Sequence, residues 1–257
     1  MKRVVIVGSG NVAESLAQAV AASPYRLVQI FARNVSRGAR LARAAGCTHT
    51  DDPSALAQAD IYLIAVSDQA VAPVSEALDF GRAVVAHTAG SVSRDELSAA
   101  IPNRGVFYPL QTFTAGRIVP LGDVPLFIEG ENPETTAVLR ELAGTLSRRV
   151  FDADSERRKR LHLAAVFACN FTNHMIAVGQ RLMEQSGLPA DALNPLLRET
   201  ADKALSGPRA AALQTGPASR GDRQTMERHT EMLAAEPELQ NLYKLISLNI
   251  WETSRKI

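Results

Sequence analysis

Short apolar runs alternate with amphipathic stretches through the first part of the chain. Residues 3–7 (RVVIV), 26–32 (RLVQIFA), 61–66 (IYLIAV), 83–88 (AVVAHT), 105–109 (GVFYP), 125–129 (PLFIE) and 148–152 (RRVFD) are dominated by β-branched, aliphatic and aromatic side chains. They are too short for stable helices and predict strands. Residues 11–22 and 36–45 instead repeat apolar side chains at helical spacing, stopping before Ser23-Pro24 and at Gly46. Asn132-Pro133 predicts a further helix start, with Asn as N-cap and Pro in the first turn. Strands that alternate with helices of this length predict an α/β protein built on a Rossmann-type, mostly parallel sheet.

After Asp154 the pattern changes. Strand-like runs vanish, and residues 155–186 form one long helical pattern ended by Gly187 and Pro189. Residues 190–205, 222–235 and 237–255 are helical again, with a loop containing Gly and Pro at 207–222. The expected organisation is a Rossmann domain over 1–154 followed by an all-α C-terminal domain over 155–257. The apolar content of that second half suggests that it also packs on another subunit.

Within the long helix, residues 161–180 carry no Asp, Glu, Lys or Arg, yet hold His162, Asn170, Asn173 and His174. Such a segment reads as a membrane span, a buried helix with satisfied polar groups, or one wall of an active site. Two amides and two imidazoles in one isolated span are costly in hydrocarbon, so no membrane partner is expected. At α-helical spacing His162, Asn170 and Asn173 share a stripe, with His174 at its edge. These are candidate catalytic residues: the asparagines would orient a substrate, and a histidine moves protons well near neutral pH. The two histidines have no carboxylate at ligand spacing beside them, so no metal site is expected.

Composition narrows the partners. The chain has 257 residues, 46% of them hydrophobic, and a net charge of +1 from 28 basic and 27 acidic side chains. That balance gives no drive toward nucleic acid or anionic lipid. Two isolated cysteines, Cys47 and Cys169, argue against a disulfide framework and fit a reducing, cytoplasmic setting. Residues 156–160 (ERRKR) read as a solvated helix face.

The first strand runs into Gly8, Gly10 and Ala13 in G-x-G-x-x-A spacing. Gly8 permits a tight turn, Gly10 lets the backbone approach a pyrophosphate, and Ala13 lets helix and sheet pack closely; the helix N-terminus then faces the phosphates. Gly8, Ser9, Gly10, Asn11 and Val12 are therefore candidate cofactor contacts. NAD enzymes of this fold place an acid at the end of the second strand. This chain places Arg33 there, with Asn34, Ser36 and Arg37 behind it, which favours the 2′-phosphate of NADP. Ligands bind beyond the carboxyl ends of such strands. The loops there nominate Val66, Ser67, Thr88, Gly90 and Ser91 for the cofactor and Tyr108 and Gln111 for the substrate. Arg220, in TGPASRGD, is placed to clamp a substrate anion.

Taken together, VGSGNVA, AVSD, HTAGS, YPLQTF, HLAAVFACNFTNHM, ETADKA and TGPASRGD resemble a bacterial family of Rossmann-fold proteins with a helical C-terminal domain of unknown function. The family is similar to pyrroline-5-carboxylate reductase, the deazaflavin-dependent NADP reductases and the β-hydroxyacid dehydrogenases. The resemblance implies an NADP-dependent oxidoreductase and a homodimer formed through the helical domain; the expected reaction passes hydride between the nicotinamide and a small carbonyl or imine. One departure stands out. The hydroxyacid dehydrogenases carry Lys four residues before Asn on the long helix, whereas this chain has Val166 before Asn170 and Cys169 before Asn173. A non-catalytic NADP(H) sensor or scaffold is the alternative that this departure leaves open.

Overall fold

The computed structural model describes residues 1–207 and 209–256. Two compact units divide the chain, Met1–Asn173 and His174–Ile257.

The first unit is built on an eight-stranded sheet: β1 (Arg3–Val7), β2 (Arg26–Phe31), β3 (Thr48–Thr50), β4 (Ile61–Ile64), β5 (Val84–His87), β6 (Asn103–Pro109), β7 (Leu126–Gly130) and β8 (Val150–Asp152), in spatial order 3-2-1-4-5-6-7-8. Every pairing is parallel except β6 with β7. The fold is the expected Rossmann-like α/β architecture.

Helices α1 (Asn11–Ala21), α2 (Val35–Ala45), α3 (Val71–Ala77) and α4 (Pro133–Leu146) cover the sheet. Successive strand side chains point to opposite faces. Val4 and Ile6 thus join a core with Leu16, Leu41 and Leu139, while Val5 and Val7 join a second with Val71, Leu78 and Leu97. Burial on both faces is why RVVIV reads as a continuous apolar run rather than an alternating one. The helix ends agree with the sequence signals. Asn34 Oδ1 accepts the Arg37 N–H at 3.0 Å, Asn132 Oδ1 accepts the Thr135 N–H at 2.8 Å, and Gly46 ends α2 in the left-handed region.

The long helical pattern is realised as α5 (Ser155–Ala165), a π-helical turn over Val166–Phe171, and α6 (Thr172–Gln185). The helical unit continues with α7 (Asn194–Ser206), the short α8 (Pro217–Arg220), α9 (Arg223–Met232) and α10 (Pro237–Ser254). The first unit extends past the change of sequence texture at 154/155 because the start of α5 is tied to the sheet. The Ser155 hydroxyl donates to Glu129 on β7 at 2.9 Å, and Arg158 Nη1 reaches the same carboxylate at 2.5 Å. Length and apolar composition alone would let Ser155–Gln185 cross a membrane, and none of its most apolar window is buried.

Candidate active site

The glycine turn has the geometry its spacing requires. Gly8 adopts φ +127°, and its N–H donates to the Phe31 carbonyl at 2.8 Å. A Cβ there would meet the Ala65 carbonyl oxygen at 2.1 Å, so only glycine fits. Gly10 is the N-cap of α1 and offers no side chain to its first N–H groups, and a Cβ built on it would have open space around it. The helix N-terminus therefore faces free volume, the arrangement that receives a pyrophosphate. Asn11 is fixed by Nδ2 donating to the Phe113 carbonyl at 3.1 Å, and Val12 packs on the core.

Beside this turn lies a cavity of about 470 Å³, lined by Gly8, Ser9, Arg33, Asn34, Val66 and Val74 among others. Of the residues expected to meet a 2′-phosphate, Arg33 is exposed on its wall. Asn34 is committed to capping α2, with the Ser36 hydroxyl also donating to it at 3.0 Å. Arg37 leans toward Glu14, with Nη2 3.5 Å from the carboxylate, while its buried Nε has no partner. The residues present fit a nicotinamide dinucleotide, with an open helix N-terminus for the bridge, and a guanidinium stands at the end of β2.

A second cluster forms at the carboxyl ends of β4, β5 and β6. Tyr108 Oη lies 3.1 Å from His162 Nδ1. Gly90 sits between them: an added Cβ would stand 2.5 Å from His162 Nδ1 and 2.8 Å from Tyr108 Cζ. Glycine here is what allows the imidazole to approach the loop. Burial raises the Tyr108 pKa above its ordinary value, with the nearby Asp68 and Cys169 adding to the rise and Arg158 opposing it. The phenol thus stays protonated at neutral pH, within hydrogen-bond reach of the His162 ring. The adjacent Ser91 hydroxyl donates to Asp68, and Thr88 is buried with its N–H donating to the Ile64 carbonyl at 3.0 Å.

Two buried groups that the sequence did not single out hold this loop. His87, at the end of β5, accepts the Ala89 N–H at Nδ1 and donates from Nε2 to the Ser93 carbonyl, both at 3.2 Å. Those partners fix its neutral tautomer. Burial, with the positive charge of Arg158, lowers its pKa to about 4. Arg158 itself is fully buried, donating to Glu129 and to the Val92 carbonyl, both at 2.5 Å. The reading of residues 156–160 as a solvated face holds for its neighbours in that run but fails for Arg158. Charge periodicity does not reveal which member of a basic run turns inward.

Of the other expected residues, Ser67 is exposed at the turn after β4. Gln111 Oε1 accepts from the Thr112 N–H at 2.8 Å, a local turn contact. Asn170 and Asn173 are exposed in and just after the π-helical turn, with no side-chain hydrogen bond among the described residues. A π turn holds more residues per turn than an α turn, so each extra residue rotates the downstream helix by about 100°. The stripe that α spacing draws from His162 to the asparagines is therefore broken. His174 and Arg220 belong to the helical unit, where both are exposed; His174 lines a wide cleft with Arg181 and Glu236. Among the described residues no group of His, Cys, Asp and Glu could hold a metal ion.

A mostly parallel open sheet with this glycine turn, the cavity beside it and a polar cluster at its carboxyl edge defines a nicotinamide dinucleotide-dependent oxidoreductase of the Rossmann class. Comparison with known proteins agrees. Residues 3–90 match the family described as NADP oxidoreductase coenzyme F420-dependent, and residues 124–250 match a domain of unknown function, DUF2520. The chain is 40% identical to the putative NADP oxidoreductase BF3122 from Bacteroides fragilis, with a TM-score of 0.91 over 98% of both chains. The chain belongs to this NADP oxidoreductase family with a DUF2520 C-terminal domain. Protein TM1727 from Thermotoga maritima shares the fold at 22% identity and a TM-score of 0.75, covering 98% of each chain. The 1-pyrroline-5-carboxylate reductase of Streptococcus pyogenes shares it at 13% identity and 0.63, again over 98% of each. No curated protein matches the sequence.

Proposed function

We propose that the chain is an NADP-dependent oxidoreductase that reduces or oxidises a small carbonyl or imine, with Tyr108 and His162 as its proton-transfer pair. The observation that carries this reading is the 3.1 Å contact of Tyr108 with His162, closed over Gly90 at the carboxyl ends of the strands. Gly8, Ser9 and Gly10 bind the pyrophosphate, Arg33 pairs with the 2′-phosphate, and Val66, Ser67, Thr88 and Ser91 border the nicotinamide.

A reduced nicotinamide bound there would supply a hydride to the substrate carbon. The π pair of the C=O or C=N bond moves onto oxygen or nitrogen, which takes a proton from the Tyr108–His162 pair. Tyr108 gives up its proton and becomes a phenolate, to which His162 passes its Nδ1 proton while taking one from solvent at Nε2. Asn170 and Asn173 orient the substrate once the exposed helix is covered. That cover is a second copy of the chain: Leu163, Phe167 and Phe171 are 57%, 62% and 48% exposed, and the Phe167 and Phe171 rings meet edge to face with centroids 4.9 Å apart, an apolar surface that an isolated helix would not leave in water. Pairing of this surface also accounts for the uncharged stretch over residues 161–180.

The test is NADPH oxidation monitored against a panel of keto acids, aldehydes and cyclic imines. His162→Ala and Tyr108→Phe should each lower kcat by about 10²-fold or more while coenzyme affinity stays at the parent level. Turnover unchanged in both variants would remove the pair from the chemistry. A chain that binds NADPH and oxidises it with no member of the panel would favour the sensor.

A further inference from the structure

The segment TGPASRGD, residues 215–222, lies wholly in the helical unit. Two of its residues, Arg220 and Gly221, line a cleft of about 540 Å³, within the usual size of small-molecule sites. Gly221 closes α8 with φ +68°, and Trp251 of α10 lies against it: a Cβ on Gly221 would stand 2.8 Å from the indole ring. The glycine thus serves the left-handed turn and the seating of the ring together. The Arg255 guanidinium carbon lies 5.5 Å from the Trp251 ring centroid, a cation–π contact that further fixes the indole. Asp222 is occupied in capping α9, accepting from the Thr225 N–H at 3.1 Å and hydroxyl at 2.9 Å.

The charge lining the cleft is of one sign. Arg220, Arg223 and Lys244 line it, and no Asp or Glu does. Among the described residues none of the three forms an ion pair; Lys244 Nζ only donates to Gln240 Oε1 at 2.9 Å. The rest of the wall includes Met226, Leu248 and Trp251. The Thr225 hydrogen bonds hold the Asp222 carboxylate ionised, and the charge of the nearby Arg220 helps them. Cations outside any close ion pair beside apolar surface still suit a ligand with the opposite pattern: one anionic group and one apolar body. An inorganic anion would satisfy the cations but leave the apolar wall uncovered.

We propose that the helical unit carries a binding site for a small organic acid, its carboxylate held by Arg220, Arg223 and Lys244 and its apolar body laid against Trp251. This site goes beyond the redox reading and does not depend on it.

Trp251 is the only tryptophan of the chain, so its emission reports on this cleft alone. The full-length protein is titrated with phenylacetate, with the neutral isostere phenylacetamide, and with acetate, which lacks the body. Phenylacetate should change the Trp251 emission saturably, and each of the other two should bind at least about tenfold more weakly. Arg220→Met and Lys244→Met should each weaken phenylacetate by a similar factor, with thermal melts matching the parent as the check on folding. An equal response to phenylacetamide, or no saturable response to phenylacetate, would overturn the proposal without any variant and whatever NADPH does. Unchanged phenylacetate affinity in both folded variants would overturn it as well.

Discussion

Single residues set the terms at both ends of the proposed site. Gly8 is held at φ +127° against the Ala65 carbonyl, so any Cβ must displace backbone. This role was legible because the G-x-G-x-x-A spacing is local and sits directly between a strand and a helix. His87 was not legible: nothing in AVVAHT tells a strand-end histidine that faces solvent from one that is buried. Its consequence is a pH dependence. The folded pKa of about 4 lies below the 6.5 of the unfolded chain. Between those values the unfolded state binds the extra proton, so stability falls as pH drops through this window, by up to about 3 kcal/mol, and levels off below it. Urea unfolding across the window should show this slope, and His87→Gln should flatten it. At the other end, Arg33→Ala should weaken NADPH binding by about tenfold or more and leave NADH unchanged, measured by calorimetry. Equal losses for both coenzymes would assign Arg33 a role other than reading the 2′-phosphate.

Elements carry those residues into register. The strands and the longer helices matched the apolar periodicity, because a parallel sheet buried on both faces demands continuous apolar runs. β3 was not legible: Thr48–Thr50 is a three-residue polar edge strand with no run to detect. The π-helical turn at Val166–Phe171 was equally hidden, since its residues suit an α-helix as well. It matters because it separates His162, which the sheet loops meet, from Asn170 and Asn173, which stay exposed. Helix α5 is anchored by Arg158, whose guanidinium joins Glu129 of β7 to the Val92 carbonyl. Removing one partner of such a buried pair leaves the other charge uncompensated. Arg158→Met should therefore cost about 3–5 kcal/mol in chemical denaturation, and adding Glu129→Gln should recover part of that loss. A single variant as stable as the parent would show that α5 is held by its apolar contacts instead.

At the scale of the whole molecule, the sequence announced two kinds of architecture, and the chain has both: a Rossmann unit and a helical unit. The apolar composition of the second half pointed to packing on another subunit but not to the surface that would pair. If a second copy covers the exposed helix, sedimentation should give a dimer for the parent chain and a monomer for Phe167→Glu, because a charge in the centre of that surface cannot be buried unpaired. A parent chain that sediments as a monomer at micromolar concentration would remove that part of the account.

The central claim is that the glycine turn and Arg33 grip a phosphorylated nicotinamide coenzyme. Calorimetric titration of the purified full-length chain with NADPH tests it most directly. The account predicts a saturating heat with NADPH, a weaker one with NADH, and none with Gly8→Val. Absence of heat from the parent chain with either coenzyme would contradict it.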